Sequence, residues 1–342
     1  MSKIYILNSK FHGSNIQLRG LANVISEENE IVDLKCKLRS RKTFLFPFYR
    51  LVIKVKQHLS GRSPLSSFLT KLVLSDADLS IEDGSIIIAK RAPYEFPAAI
   101  LAAGNSTRIV FIGKARRLPR RFFDKVISTP STKAENEDCF LEIMPTAFTY
   151  RIFKEQRSAC LPKTPYWCVL LGGKARGYDY NERDWATLAD ALTEHAKKAK
   201  VQLVISSSPR TGTDAEKVIQ KKVSDNLELV RETIWWNRPS KEKKGTFELM
   251  LGASLVLVTE DSASMISESL NTRLPVVAVH PEATSYNSLT DGLVKYHSRK
   301  KSLLRVPISN LKQLDIVQWT RTEWNPIKEC WSESVRRHLK NL

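Results

Sequence analysis

The sequence lacks several motifs that define common enzyme classes. It contains no GxGxxG dinucleotide fingerprint, no GxxxxGK[ST] phosphate loop and no GxSxG nucleophile elbow. The five cysteines are odd in number, are scattered along the chain and form no CxxC pair. This pattern is typical of reduced thiols in a cytosol-like compartment and argues against a disulfide or zinc framework.

Signatures of metal and nucleic-acid binding are equally scarce. The six histidines show no ligand spacing, so we expect no structural metal. Asp76 and Asp78 form a D-x-D pair, which is a metal motif in another class of sugar transferase, but we interpret them as part of a polar turn. The absence of a zinc finger, an RNP-like aromatic pair and a GxxG clamp argues against nucleic acid as a partner.

Long apolar runs are also missing. The most apolar early segment, residues 44–55, includes Pro47, Arg50 and Lys54 and is far shorter than the roughly 20 residues that a membrane-spanning helix needs. Strand-like residues 4–7 begin directly after Lys3, so we expect no signal peptide. We therefore expect a cytoplasmic protein that is soluble or peripheral on the inner membrane.

What the chain has in excess is positive charge. Its 342 residues include 54 Lys and Arg against 36 Asp and Glu, a formal net charge of +18. Such a balance favours polyanionic partners: nucleic acid, an anionic membrane face or a phosphorylated substrate.

The chain is long enough for two domains, and its periodicity predicts two successive α/β series. Strand-like runs alternate with helical patterns in each half, which is typical of a parallel, helix-covered sheet. A polar stretch at residues 133–138 and the prolines Pro162 and Pro165 indicate a connection near residue 160. The predicted fold class is α/β, with two Rossmann-like domains facing a cleft. We place the domains at residues 1–158 and 159–325, followed by a C-terminal helix at 326–342 that returns toward the first domain.

Residues 259–268 are the most informative stretch. They follow an apolar run at 254–258 that predicts a buried strand, so a helix should begin near Ser262. Ser262 and Ser264 would lie in its first turn, where free N–H groups and the helix dipole favour a phosphate. Glu268 would lie one turn deeper, where its carboxylate could hold a pair of ribose hydroxyls. The alternative is an ordinary capped helix with a solvated glutamate.

Other loops in the second half end predicted strands, which is where open α/β sheets bind ligands. Glycine pairs allow a backbone to approach a diphosphate closely, and basic side chains neutralise it. The alternative for the glycine pair is a tight strand-to-helix turn. The candidate donor-binding residues in these loops are Gly172, Gly173, Lys174, Arg176, Ser206 and Arg210.

The first half offers candidates for an acceptor site. His12 follows the first strand and is a candidate general base, because the reference pKa of histidine suits that task; the alternative is an exposed histidine without a role. Basic and aromatic residues interleave from Phe44 to Arg62, as in an interfacial amphipathic segment. A second basic cluster follows at residues 116–121. Together they favour an anionic membrane surface or a lipid-linked acceptor.

Several of these motifs together resemble a known family. They are residues 13–17 with Gly20-Leu-Ala22, Arg91 after a strand, Phe123-Asp124, Gly172-Gly173 with Tyr178, residues 206–211, and residues 259–268 with Pro275. The set resembles a bacterial member of the mitochondrial-fission protein family that is named for plant elongated mitochondria. That family is in turn similar to GT-B glycosyltransferases, including the enzyme that adds N-acetylglucosamine to the peptidoglycan lipid precursor.

The resemblance implies a nucleotide-sugar in the C-terminal domain, with its diphosphate near Ser262 and Ser264 and its ribose on Glu268. On the acceptor side it implies roles for Asn15, Gln17 and Arg91. Three family features are altered here: His12 and Gly13 stand in swapped order, a Gly-Arg pair reads Lys90-Arg91, and a His-Asp pair is replaced by residues 128–131. These changes fall in the acceptor half.

We expect an inverting, metal-independent GT-B glycosyltransferase without a cofactor. It would pass a sugar from a nucleotide-sugar to a lipid-linked or phosphorylated cell-envelope glycan, such as a lipopolysaccharide core. The first alternative is a non-catalytic adaptor that keeps the GT-B shell and recruits a protein partner at a membrane. A nucleotide-sugar epimerase is the third hypothesis.

Overall fold

A computed structural model describes residues 3–9, 12–26, 28–61, 63–75, 81–90, 94–132, 137–238, 244–285 and 288–339. The chain divides into two compact units. The first unit comprises residues 1–147 and 331–342, and the second comprises residues 148–330.

The first unit is built on a six-stranded sheet in which every neighbouring pair is parallel. A short antiparallel pair lies apart from it. The strands are β1 (Ile4–Leu7), β2 (Ile31–Leu34), β3 (Lys37–Leu38), β4 (Leu74–Ser75), β5 (Ile86–Lys90), β6 (Arg108–Ile112), β7 (Lys125–Ser128) and β8 (Cys139–Phe140). The main sheet has the order β2-β1-β5-β6-β7-β8. Its central strands are apolar and buried on both faces, as expected for a parallel sheet covered by helices.

The helices of the first unit are α1 (His12–Ile25), α2 (Phe46–Gln57), α3 (Pro64–Val73), α4 (Glu95–Ala102) and, from the end of the chain, α13 (Trp331–His338). The periodicity of the sequence did not predict helices at α2 and α3. Each begins with a proline in its first turn, where the missing N–H costs no helical hydrogen bond. The Ser63 hydroxyl caps α3 by accepting from Ser66 N.

The second unit contains another fully parallel six-stranded sheet, ordered β11-β10-β9-β12-β13-β14. Its strands are β9 (Tyr166–Leu170), β10 (Gln202–Ser206), β11 (Val230–Ile234), β12 (Ala253–Thr259), β13 (Val276–His280) and β14 (Leu304–Pro307). Residues Leu227–Leu229 form a 3₁₀ turn directly before β11.

The second unit has eight helices within the part of the chain that the structure describes. They are α5 (Tyr150–Arg157), α6 (Glu182–Ala199), α7 (Thr213–Ser224), α8 (Thr246–Met250), α9 (Ala263–Asn271), α10 (Ser288–Arg299), α11 (Ile308–Leu311) and α12 (Ile316–Thr322). Helix α6 begins with a capping box in which Asn181 and Asp184 each accept from the other's backbone N–H. No described helix is both long and apolar enough to span a membrane.

The boundary between the units differs from the predicted position at residue 158. Helix α5 belongs to the second unit, where the Arg157 guanidinium donates to Leu251 O at 2.7 Å and Phe153 packs against Phe247. The last helix begins at Trp331 rather than Pro326 and packs against α1 and β8 of the first unit. Pro162 and Pro165 therefore lie within the second unit and do not mark the domain boundary.

Candidate functional site

The strand order of the second sheet reverses direction between β9 and β12, and we call this switch point the crevice. The chain winds from β9 outward through β10 and β11, then returns to place β12 on the other side of β9. The loops after these two central strands therefore leave the sheet in opposite directions. Ligands of open α/β sheets bind at such a switch point, beyond the carboxyl ends of the strands. Here those ends are followed by Gly172-Gly173 and by residues 260–262.

Glycine is required at positions 172 and 173 because other atoms of the protein approach the backbone there too closely to leave room for a side chain. The Gly172 N–H donates to the Thr259 Oγ1 at 2.6 Å, which ties the ends of β9 and β12 together. A Cβ on Gly172 would lie 2.2 Å from the Asp261 carboxylate oxygens. A Cβ on Gly173 would lie 2.0 Å from the backbone oxygen of Arg210. Side chains are thus excluded at these two positions, because the Asp261 carboxylate and the Arg210 backbone occupy the space beside them.

Asp261 and Arg210 form an ion pair in this crevice. The Arg210 guanidinium lies 2.8 Å from the Asp261 Oδ2, and the Asp261 side chain has no exposed surface, whereas 42% of the Arg210 side chain is exposed. Burial raises the pKa of the Asp261 carboxyl, and the Arg210 charge opposes that shift. The predicted donor residue Arg210 is therefore near the glycine pair, but its charge is shared with a buried acid that we did not predict as part of the site.

Helix α9 begins as predicted at residues 262–263. The Ser262 hydroxyl accepts from Met265 N and lies 3.3 Å from the Ser264 hydroxyl. Ser264 is half-buried, and Ile266 and Leu270 bury the inner side of the helix. The first turn of α9 thus presents two hydroxyls beside backbone N–H groups at the crevice.

Glu268 is buried rather than solvated. It lies one turn further along α9 and is 7% exposed. Its Oε2 accepts from the Thr246 hydroxyl at 2.5 Å, at the start of α8. Burial raises the pKa of the Glu268 carboxyl, and the hydrogen bond from Thr246 opposes the shift. The alternative of an ordinary solvated glutamate is thereby wrong.

A second buried acid holds the loop before α9. Glu260 is completely buried and accepts two hydrogen bonds from the Arg305 guanidinium, at 2.7 Å and 2.6 Å. The Tyr178 hydroxyl donates to the same carboxylate at 2.7 Å. Asp291 lies 3.4 Å from the other face of the Arg305 guanidinium. Sequence reasoning missed this network: Glu260 stood in the selected stretch, but Arg305 lies 45 residues away in no motif.

The remaining donor candidates are more peripheral. Lys174 is exposed and lies 3.4 Å from Asp179. Arg176 is also exposed. Ser206 is buried, and its hydroxyl donates to Ser207 O at 3.3 Å. These three side chains make no contact with the glycine pair among the interactions of the described residues.

The acceptor candidates belong to the first unit. The Asn15 side chain accepts from Ser9 N at 2.8 Å and donates to Ser9 O at 2.9 Å, so it links α1 to the residues that follow β1. Gln17 is buried and accepts from the Lys90 ammonium, which is also buried. Their polar groups are thus engaged in internal contacts. His12 is the first residue of α1, but its side chain and all of Arg91 lie outside the described residues.

The described residues contain no group of three or more His, Cys, Asp and Glu side chains that could hold a metal ion. Asp76 and Asp78 lie outside the described part of the chain.

Fold and crevice together define the class: an α/β protein with two Rossmann-like domains of the GT-B type. A family model described as mitochondrial fission ELM1 matches residues 143–300. This match confirms the resemblance that the sequence motifs predicted, over a range that contains the whole crevice. No curated protein matches the sequence.

Similar folds occur in solved nucleotide-sugar enzymes. UDP-GlcNAc 2-epimerase from Methanocaldococcus jannaschii is 11% identical, with a TM-score of 0.54 over 99% of both chains. Its complex with UDP-GlcNAc and UDP is 11% identical, with a TM-score of 0.51 over 99% of both chains. The S. aureus MnaA–UDP co-structure is 10% identical, with a TM-score of 0.53 over 98% of this chain and 94% of that chain. At these identities the likeness shows the fold alone.

Proposed function

We propose that the protein is a glycosyltransferase whose second unit binds a nucleotide-sugar in the crevice between β9 and β12. The single observation that carries this proposal is the contact of Gly172 with Thr259 and Asp261, at the switch point of the sheet and directly before α9. A diphosphate there would lie near the N-terminal N–H groups of α9 and the positive end of its dipole. The bound UDP and UDP-GlcNAc in the similar folds support this class of ligand.

The proposed reaction is a displacement at the anomeric carbon of the donor sugar. An acceptor hydroxyl forms the new C–O bond, while the bond to the nucleotide phosphate breaks and the phosphate leaves with the electron pair. The hydroxyl proton passes to a base, for which His12 is our candidate. Negative charge grows on the leaving phosphate, where fixed N–H groups and the Arg210 guanidinium would stabilise it.

Glu268 is the proposed ribose ligand. Its carboxylate is desolvated and is held by Thr246, which fixes its orientation. Accepting hydrogen bonds from a 2′-hydroxyl would discriminate ribonucleotides from their 2′-deoxy analogues, because hydrogen bonds to charged groups contribute about 1.5–3 kcal/mol. That corresponds to a difference of roughly tenfold to a hundredfold in affinity.

We propose an acceptor that is a lipid-linked or phosphorylated cell-envelope glycan, such as a lipopolysaccharide core. The net charge of +18 supports an anionic acceptor. Catalysis at the cytoplasmic face of the inner membrane would follow from such an acceptor.

Calorimetry with a panel of nucleoside diphosphates and their 2′-deoxy analogues tests the donor site. We expect the wild-type protein to prefer one ribonucleotide and Glu268→Gln to lose the preference over its deoxy analogue. Glu248→Gln is the matched control, since Glu248 is an exposed acid on nearby α8. Absence of binding to every nucleotide and nucleotide-sugar would refute the proposal, whereas retained discrimination in Glu268→Gln would refute only the role of Glu268.

The two alternative functions differ in measurable ways. A non-catalytic adaptor predicts that Glu268→Ala leaves the cellular phenotype intact, whereas a transferase predicts its loss. An epimerase would convert the nucleotide-sugar without an added acceptor, so analysis of products in the absence of acceptor separates it from a transferase.

A further inference from the structure

Exposed apolar side chains are concentrated on one part of the first unit. Of the eleven large hydrophobic side chains that are exposed among the described residues, seven lie on α2, α3 and the turn before α2. Their exposed fractions range from 39% to 72%. Single exposed hydrophobic residues are normal, but a cluster marks an interaction surface. We call this cluster the hairpin surface; it consists of Phe44, Phe48, Leu51, Val55, Leu65, Phe68 and Leu72.

The spacing of these residues shows why they are exposed. On α2 they recur every three or four positions, while the other side of the helix buries Tyr49, Val52 and Ile53. On α3 the exposed residues have the same spacing, and the other side buries Ser66 and Val73. Helix α2 therefore carries a second apolar stripe besides the one that packs into the unit, whereas α3 buries mainly small and polar side chains and exposes its apolar stripe.

A buried lysine joins the two helices. The Lys56 ammonium, on α2, donates to the Thr70 hydroxyl on α3 at 2.6 Å and to Ile100 O on α4 at 2.6 Å. The two apolar stripes are thus held on one helical hairpin that is anchored to the unit.

The same segment carries charge of only one sign. Residues 35–75 include ten Lys and Arg and no Asp or Glu. Lys42, Lys54 and Lys71 are exposed beside the apolar stripes. The second basic cluster, at residues 116–121, also meets this region, because the Arg117 guanidinium lies 4.8 Å from the centre of the Phe46 ring.

We propose that the hairpin surface docks onto an anionic lipid bilayer. Aromatic and aliphatic side chains would enter the boundary between headgroups and acyl chains, while the lysines would contact anionic headgroups. A second copy of the chain fits less well, because a symmetric contact would oppose two segments that have ten cations each and no acid between them. Relative to the segment predicted from the sequence, the proposal adds all of α3. It does not depend on the nucleotide site.

Vesicle co-sedimentation of the full chain without nucleotide tests the proposal. We expect the protein to bind vesicles of phosphatidylcholine that contain about 30% phosphatidylglycerol as the anionic lipid. Binding should be much weaker to phosphatidylcholine alone, or to the anionic vesicles at high salt. Leu51→Ser with Phe68→Ser should lower the partition coefficient about a hundredfold, at about tenfold for each inserted side chain.

Matched variants separate apolar insertion from charge. Leu161→Ser with Leu227→Ser removes equally exposed leucines of the second unit, at 61% and 69% exposure, and should bind vesicles like the wild type. Lys54→Gln with Lys71→Gln should weaken binding to anionic vesicles by about fivefold per lysine and leave binding to neutral vesicles unchanged.

The proposal would be overturned by any of three results. The first is that the wild-type protein fails to sediment with anionic vesicles. The second is that Leu51→Ser with Phe68→Ser binds these vesicles as well as Leu161→Ser with Leu227→Ser does. The third result is a wild-type dimer in analytical ultracentrifugation that Leu51→Ser with Phe68→Ser dissociates, which would assign the surface to self-association.

Discussion

Replacing Arg305 by methionine would leave the buried Glu260 carboxylate without its counter-ion. Both hydrogen bonds from the guanidinium would be lost, and only the Tyr178 hydroxyl would still donate to Glu260. Removing one partner of a buried pair costs about 3–5 kcal/mol. We therefore expect Arg305→Met to lower the free energy of unfolding by about that amount.

Urea unfolding followed by tryptophan fluorescence measures this loss of stability, since six of the seven tryptophans lie in the second unit. Arg305→Met with Glu260→Gln is the control, because it removes the unpaired charge, and it should recover most of the loss. A loss below about 1 kcal/mol in Arg305→Met, or a double variant no more stable than Arg305→Met, would contradict the prediction.

Two further predictions follow from local geometry. Gly173→Ala places a Cβ 2.0 Å from Arg210 O, so it should abolish nucleotide binding in calorimetry and lower stability by about 1–3 kcal/mol. Gly212→Ala meets no atom within 4 Å, but its φ of +82° and ψ of 154° are adopted readily only by glycine, so it should also lose about 1–3 kcal/mol while it keeps nucleotide binding. Burial lowers the pKa of Lys56 to about 8. Between about pH 8 and the unperturbed pKa of lysine, the unfolded state therefore holds a proton that the folded state has lost, and stability rises with pH. We expect the free energy of unfolding of the wild type to rise by about 3 kcal/mol relative to Lys56→Met over this range. Urea unfolding monitored by circular dichroism at the two ends of this range measures this gain, and parallel curves for both proteins would contradict it.

Periodicity predicted most of the strands because both sheets are parallel and buried on both faces. Apolar runs of about five residues are then the strands themselves, as at residues 254–258, which lie within β12. The start of α9 was predicted to within one residue, since a hydroxyl directly after a buried strand is a local capping signal.

Helices α2 and α3 were not predicted, because their apolar residues do not form the pattern of a single buried face. A helix in a soluble protein is recognised by one apolar face, but α2 carries apolar residues on two sides, with Val52 buried and Leu51 exposed. Pro47 added a turn signal, although proline in a first turn is compatible with a helix. The sequence therefore predicted an interfacial segment there but did not predict its secondary structure.

The electrostatics of the crevice depend on strand order, which no local pattern specifies. Residues 259–268 come next to Gly172 only because β12 lies beside β9, although 87 residues separate the Gly172 N–H from its Thr259 acceptor. That arrangement also brings Glu260 and Asp261 to the place proposed for a diphosphate. Arg305 neutralises the first acid within the protein, and Arg210 is shared with the second. Because Arg305 and Arg210 are both paired within the protein, the affinity for a diphosphate must come largely from backbone N–H groups and the α9 dipole, or from a rearrangement in which Arg210 leaves Asp261 for the ligand.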